Sequence, residues 1–402
     1  MGNLLTKERT LNYERPSSLR RRLWTVIGKA CGLFHHFSRD KGIDHQEIRR
    51  ILIFRYGALG DIVMSTPVIE AVSEMFPEAE IDYVVDRPFK EVLQGNPHLD
   101  AIFDYLPIQS FAIPFREKVK FLSRLRKFAP DLSIILEGGP YTQISAYLAG
   151  SKYRAGLDSF NHGFLLTHKV PIYPYDQLHT IDKYFEMLSI LGYRGNAAYQ
   201  MRLYPAPEDF SSIEDFLQSY KIGPDDVLIA LFPGGGENPQ TVLHTKRWPK
   251  EYYAELAGRL ITRYGAKIIL IGGPDDYSLN EQVVSLIDYP VINIAGKMPI
   301  LQTAAFLKRA DLYIGNDSGP LYLAAAMGIP TISIFGPTNP ARLAPIGEKH
   351  LVVKSDIDCS PCYREVLGSF PQCENPECMK SITVKRVFEV VEKQLSKRVV
   401  NL

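Results

Sequence analysis

The sequence predicts an α/β protein with mainly parallel sheets, arranged as two successive halves. Short apolar, β-branched runs alternate with helix-spaced segments from residue 51 onward, as in sheets covered on both faces. The alternation restarts past the middle of the chain. Glycine-rich turns follow several of the apolar runs, where a bare backbone can approach a ligand closely. At 402 residues the chain exceeds a usual single domain, so two domains with a cleft between them are expected.

In the first half the expected strands are Ile51–Phe54, Ile81–Val85, Ile102–Tyr105 and Leu132–Leu136. Amphipathic stretches Ile62–Phe76 and Phe115–Phe128 lie among them, and His179–Leu191 follows a Pro- and Tyr-rich passage at 171–175. The second half supplies Val227–Phe232, Lys267–Ile271, Val291–Ile294, Leu312–Ile314 and Thr331–Phe335 as strands. Helices are expected near Tyr252–Tyr264, Ser278–Ile287, Leu301–Arg309 and Leu321–Met327. Turn-forming residues concentrate around 205–225, which places the junction there: an extension over 1–48, one domain over 49–210 and a second over 211–402.

Hydrophobic content of 46% and charged content of 23% are those of an ordinary globular protein. The net charge of +1 hides an asymmetry, since residues 1–50 hold eleven Lys/Arg against five Asp/Glu and the remainder is acidic. That balance excludes a nucleic-acid-binding footprint over the whole chain. No apolar run reaches the roughly 20 residues of a membrane span, and no signal-type core precedes a cleavage site, so a cytoplasmic protein is expected. Leu19, Leu23, Trp24, Ile27, Cys31 and Phe34 recur at helical spacing beside Arg20, Arg21, Arg22 and Lys29. The pattern suits an amphipathic helix on an anionic membrane, or one docked on the protein's own body.

The segment Arg55-Tyr-Gly57-Ala-Leu-Gly60-Asp61-Ile-Val-Met-Ser-Thr66-Pro67 puts an acid where a strand turns into a helix. Free amides and the positive helix end favour an ionised Asp61 there, able to accept a proton. Spacing alone also allows a helix-capping Asp. In the second half, Pro233-Gly234-Gly235-Gly236 follows a strand, and Thr245-Lys246-Arg247-Trp248-Pro249 sets two cations and a hydroxyl before a helix. The first reads as a phosphate-approaching loop or a tight connection, the second as a diphosphate clamp or a solvated basic turn. Asp317-Ser318-Gly319-Pro320 opens a further helix whose amides suit an anion, and Gly336-Pro-Thr338 follows the next strand.

Taken together, Gly57-x-x-Gly60-Asp61 with Thr66-Pro67, Lys246-Arg-Trp-Pro249, Asp317-Ser-Gly-Pro320 and Phe335-Gly-Pro-Thr338 resemble glycosyltransferase family 9. These are the ADP-heptose:lipopolysaccharide heptosyltransferases, and the resemblance spans roughly residues 49–398. It implies a GT-B fold of two facing Rossmann-like domains, the first for the acceptor and the second for the nucleotide-sugar donor. The implied reaction is inverting and metal-independent: heptose passes from ADP-heptose to a lipid A–Kdo type core acceptor, with no resident cofactor. Implied roles are Asp61 as base, Lys246 at the diphosphate, and Thr245, Asp317, Ser318, Gly319, Gly336 and Thr338 around the donor, where Gly235 and Gly236 of the glycine-rich loop are also expected. Tyr322 stands where the family usually has His, and the loss of a chargeable ring there leaves room for another nucleotide-sugar feeding a different surface glycan. A weakly catalytic glycan-assembly module is the alternative of another class.

The ribose-binding acid implied after Lys267–Ile271 is open among Asp275, Asp276 and Glu281. Arg55, Arg87 and Arg154, with Lys90 and Lys152, could meet an acidic acceptor or be scattered surface cations. The glycolipid acceptor implied by the family places the enzyme at the cytoplasmic face of the inner membrane. Cys359, Cys362, Cys373 and Cys378 form C-x2-C-x10-C-x4-C, open to structural zinc, to disulfides or to plain reduced thiols.

Overall fold

The computed structural model describes residues 43–137, 139–158, 163–171, 178–195, 200–238, 241–363 and 373–399. The basic amphipathic segment expected over residues 19–34 lies outside them, as do residues 172–175 of the Pro- and Tyr-rich passage. Two compact units divide after Gln200.

The first unit runs β1 (Arg50–Phe54), α1 (Leu59–Met75), β2 (Glu80–Val85), β3 (Ala101–Asp104), α2 (Phe115–Phe128), β4 (Leu132–Ile135), α3 (Pro140–Leu148), β5 (Tyr153–Asp158), β6 (His168–Pro171) and α4 (Thr180–Ile190). Its six strands are parallel in the order β3-β2-β1-β4-β5-β6. The second unit runs α5 (Pro207–Ser219), β7 (Leu228–Phe232), β8 (Glu237–Asn238), β9 (Thr241–Val242), α6 (Lys250–Tyr264), β10 (Lys267–Leu270), α7 (Tyr277–Val284), β11 (Ile292–Asn293) and α8 (Ile300–Arg309). It continues through β12 (Leu312–Asn316), α9 (Gly319–Ala326), β13 (Thr331–Phe335), α10 (Pro340–Leu343), β14 (His350–Lys354), α11 (Glu377–Lys380) and α12 (Val384–Val399). Its main sheet repeats the topology as β11-β10-β7-β12-β13-β14, again parallel, with β8 and β9 a separate antiparallel pair.

Both orders are the doubly wound 3-2-1-4-5-6, which reverses direction between its first and fourth strands. That topology opens a crevice outside the carboxyl ends of β1 and β4, and another outside those of β7 and β12. Ile51–Phe54 and Leu228–Phe232 are buried along their whole length, as strands covered on both faces must be. In α1, Pro67 cannot donate to the Val63 carbonyl, and Thr66 Oγ1 makes that bond instead at 2.8 Å. The Thr-Pro pair therefore keeps the helix closed behind the first turn.

The structure differs from expectation at the junction. Residues 207–219 form α5, because Pro207 occupies the first helical position, where no N–H is needed, and Asp209 accepts the Ala206 N–H at 2.8 Å. A turn-like composition there reads as a helix start. Strands β5, β6 and β14 and helices α3 and α12 were not foreseen. Val384, Val387, Val391 and Leu395 line the buried face of α12 in the second unit's core.

Candidate active site

At the end of β1 the chain turns through Arg55–Ala58 into α1. Gly57 holds φ at +125°, where a side chain is strained, and a Cβ would lie 3.0 Å from Asp61 Oδ2. The Gly57 N–H donates to Asp86 Oδ2 at 2.8 Å, tying the turn to the end of β2. Burial pushes the Asp86 pKa up, against the opposing pull of that amide and of Arg55. Ala58 is the N-cap, so Asp61 stands three residues inside the helix boundary and is not itself the cap residue. Its Oδ2 accepts the Ala58 N–H at 3.1 Å, as in the returning half of a capping box.

The other oxygen, Asp61 Oδ1, lies 2.8 Å from Arg55 Nη2. Arg55 Nε donates to Tyr184 Oη in α4 at 2.9 Å, and Nη1 reaches the Tyr56 carbonyl. Burial opposes the guanidinium's charge, but Asp61 and its other neighbours outweigh that and raise its pKa. The side chain of Arg55 is 14% exposed and that of Asp61 32%, so the carboxylate is the member of the pair that solvent reaches.

The other cations expected to meet the acceptor do not join this pair. Arg154 is a correction: it is buried in β5, donates Nε to the Leu165 carbonyl at 2.6 Å and Nη1 to the Ser151 carbonyl, and lies 5.4 Å from the Tyr147 ring centroid. Burial lowers its pKa. A guanidinium spent on main chain is a brace, not an anion receptor. Arg87 is exposed in a short 3-10 turn, Lys90 lies 3.2 Å from Asp104, and Lys152 lies 2.6 Å from Glu47.

In the second unit, the ends of β7 and β12 bring the glycine loop, the Lys246 segment and the Asp317 turn together. Asn316, at the end of β12 and fully buried, joins all three. Its amide donates to the Pro233 and Gly234 carbonyls at 3.0 and 2.9 Å, and its oxygen accepts from Trp248 N and Tyr253 Oη at 3.1 Å each. Four bonds fill the amide's two donors and both acceptor sites. Sequence reading passed over Asn316; a polar residue closing an otherwise apolar strand was its signal.

Lys246 Nζ lies 2.9 Å from Asp317 Oδ2, with side-chain exposures of 20% and 4%. Tyr322 Oη donates to Asp317 Oδ1 at 2.9 Å. Burial opposes ionisation of Asp317, but Lys246 first, then the hydroxyls of Thr338 and Tyr322, hold its pKa below the usual carboxylate value. Tyr322 is buried and its hydroxyl's donated bond goes to Asp317, so it packs against the charged pair. Gly235 (φ +98°) abuts Ser318, since a Cβ would fall 2.8 Å from the Ser318 hydroxyl. Ser318 is the N-cap of α9 and makes no side-chain cap bond, while Gly319 opens the helix. The loop glycine, the hydroxyl and the first-turn amides thus adjoin Lys246, a setting for a diphosphate.

Of the ribose candidates, Asp276 is committed to the N–H groups of Gly273 (2.9 Å) and Gly235 (3.3 Å), and Glu281 accepts from Asn293 at 2.6 Å. Asp275 is exposed at the same turn. Gly336 serves packing: a Cβ there would meet the sulfurs of Met379 and Cys378, and its carbonyl accepts from Ser360 Oγ at 2.6 Å. Cys359, Cys362, Cys373 and Cys378 carry free thiols and line one cavity of about 150 Å³ with Thr245 and Pro337. Burial pushes Cys378 up to about 11 and raises Cys362. Among the described residues no three His, Cys, Asp or Glu side chains are grouped to hold a metal ion.

Two doubly wound units with six-stranded parallel sheets have the GT-B fold. The sequence model "Glycosyltransferase family 9 (heptosyltransferase)" matches residues 119–368, well over half of the chain, and the protein belongs to that family. Lipopolysaccharide heptosyltransferase 1 of Campylobacter coli is 27% identical over 321 residues, 73% of this chain and 86% of that protein. In structure, a family 9 glycosyltransferase from Veillonella parvula DSM 2008 aligns with a TM-score of 0.75 at 23% identity, over 89% of this chain and 100% of the other. The ADP-heptose lps heptosyltransferase II of E. coli aligns at 0.70 and 20% identity, over 87% and 99%.

Proposed function

We propose that the protein moves heptose from ADP-heptose onto a lipopolysaccharide core acceptor, with inversion and without a metal, at the cytoplasmic face of the inner membrane. The observation that carries this reading is the Lys246–Asp317 pair set beside the Gly235 loop and the first turn of α9. A cation held ready by a buried carboxylate can turn to a diphosphate as charge builds on it. Asp61 accepts the proton of the acceptor hydroxyl while that oxygen attacks the anomeric carbon. The bond to the diphosphate breaks, and ADP leaves with the electron pair. Alignment and stabilisation of the leaving group supply most of the rate, with Lys246 and the α9 amides as the stabilisers.

The donor sugar is the part of the reading that Tyr322, hydrogen-bonded to Asp317, bears on. Mass spectrometry of products from a panel of nucleotide-sugars with lipid A core acceptors tests it. A heptosylated product formed from ADP-heptose in the presence of EDTA is expected. Transfer of a different sugar only, or loss of transfer in EDTA, would overturn the donor or the metal-free assignment respectively.

A further inference from the structure

The described surface of the first unit carries one strongly amphipathic feature that the reaction does not use. Phe111 is 96% exposed, Phe115 79% and Val119 44%. Phe115 and Val119 stand four residues apart on one line of α2, and Phe111 lies in the turn leading into it. Phe121 and Leu125 take the opposite, buried face, so the helix is anchored and its outward aromatics are not a frayed end. Residues 107–128 hold six Lys/Arg and one acid. Arg116, Lys120, Arg126 and Lys127 lie on the solvent side with Phe115 and Val119, and among the described residues none of the four is in an ion pair.

We propose that the 107–114 turn and the outer face of α2 dock on an anionic lipid surface, with Phe111 and Phe115 entering the headgroup–acyl boundary and the cations meeting lipid phosphates. Bulky aromatics flanked by Lys and Arg are the composition of an interfacial helix. Charge complementarity selects the occupant. The chain's own first 50 residues are themselves basic, and a second copy would set cation against cation.

The position suits the chemistry. β3 and β1 are parallel strands separated only by β2, so the turn after β3 and the Arg55–Asp61 turn leave the same sheet edge about 10 Å apart. Tyr105, at the start of the docking loop, stacks on Tyr56, one residue before Gly57, with ring centroids 4.0 Å apart and planes 7° from parallel. The docking surface stands on exposure and charge alone. Its purpose, presenting a glycolipid headgroup to Asp61, rests on the proposed reaction.

The test is binding of the full-length protein to phosphatidylglycerol-containing vesicles, compared with phosphatidylcholine-only vesicles, with hydrogen exchange read by peptide. Sedimentation with the anionic vesicles alone and slowed exchange confined to residues 107–120 and the N-terminal segment are expected. Phe111→Ser/Phe115→Ser and Lys120→Ala/Lys127→Ala should each weaken vesicle binding at least about tenfold. Turnover of a delipidated soluble acceptor should be unchanged in both, which separates docking from catalysis. No vesicle binding by the wild-type protein, unaltered exchange over 107–120 on bound vesicles, or full binding by both double variants would each overturn the proposal. Failure of heptose transfer with a soluble acceptor would count against the proposed reaction and leave the docking result standing.

Discussion

Arg55 Nη2 and Asp61 Oδ1 stand 2.8 Å apart, with the guanidinium braced from behind by Tyr184 and the carboxylate braced from below by the Ala58 amide. The proposed base is held by two partners before any acceptor arrives. Such bracing fixes the direction of the carboxylate and so favours alignment. Arg55→Ala should therefore lower kcat by roughly 10- to 100-fold while leaving the donor KM within a few-fold. Steady-state kinetics with each substrate varied separately measures it, and an equal loss in donor KM would assign Arg55 elsewhere.

In the proposed reaction Lys246 has two tasks, one toward the donor and one toward Asp317. Removing the cation leaves a carboxylate that is 4% exposed without its charge partner, so Lys246→Ala should cost about 3 kcal/mol of stability as well as donor affinity. Lys246→Ala/Asp317→Asn should recover most of the stability and none of the ADP affinity. Denaturant unfolding together with ADP titration separates the two. Recovery of both would show that Lys246 never met the nucleotide.

Asn316→Leu keeps the volume near native and deletes four hydrogen bonds at once. Two carbonyls, the Trp248 N–H and the Tyr253 hydroxyl would each lose a buried partner. A loss on the order of 3 kcal/mol in unfolding free energy is expected, with a raised donor KM from a loosened glycine loop. A variant as stable as wild type would mean that the loop and the Lys246 segment hold their places without it.

Asp82 makes stability depend on pH. It lies 2% exposed in β2; burial foremost, with the Glu80 carboxylate, pushes its pKa up to about 7, and Oδ1 has no hydrogen-bond partner among the described residues. Between about pH 4 and 7 the folded state binds a proton that the unfolded chain has released, so stability falls as pH rises through that window. Asp82→Asn should remove the loss, gaining on the order of 4 kcal/mol at pH 8 and little at pH 4. His350 slopes the other way. Burial first, and Lys349, push it down to about 4, so stability falls as pH drops from about 6.5 toward 4. Urea midpoints across pH for wild type, Asp82→Asn and His350→Gln would show the two slopes.

The strands and turns that form the candidate site were legible because apolar runs ending in glycine and an acid mark a strand turning into a helix at a sheet edge. Gly57, Asp61, Lys246 and Asp317 fall where their spacing placed them, each at the carboxyl edge of its unit's sheet. Other features depend on contacts distant in sequence. Asp86 lies 29 residues from the Gly57 amide it anchors, and Tyr184 lies 129 residues from Arg55. Arg154 looked like any surface cation, because only the fold supplies the carbonyls that bury it. Pro207 read as a turn residue because proline serves turns and first helical positions equally well.

The most direct measurement is turnover by Asp61→Asn with ADP-heptose and a core acceptor. Asn keeps the shape and can still accept the Ala58 N–H, but it cannot take up a proton from a hydroxyl. Transfer should fall by about 1,000-fold or more, with ADP affinity within a few-fold of wild type. Turnover close to that of wild type would contradict the assignment of Asp61 as the base.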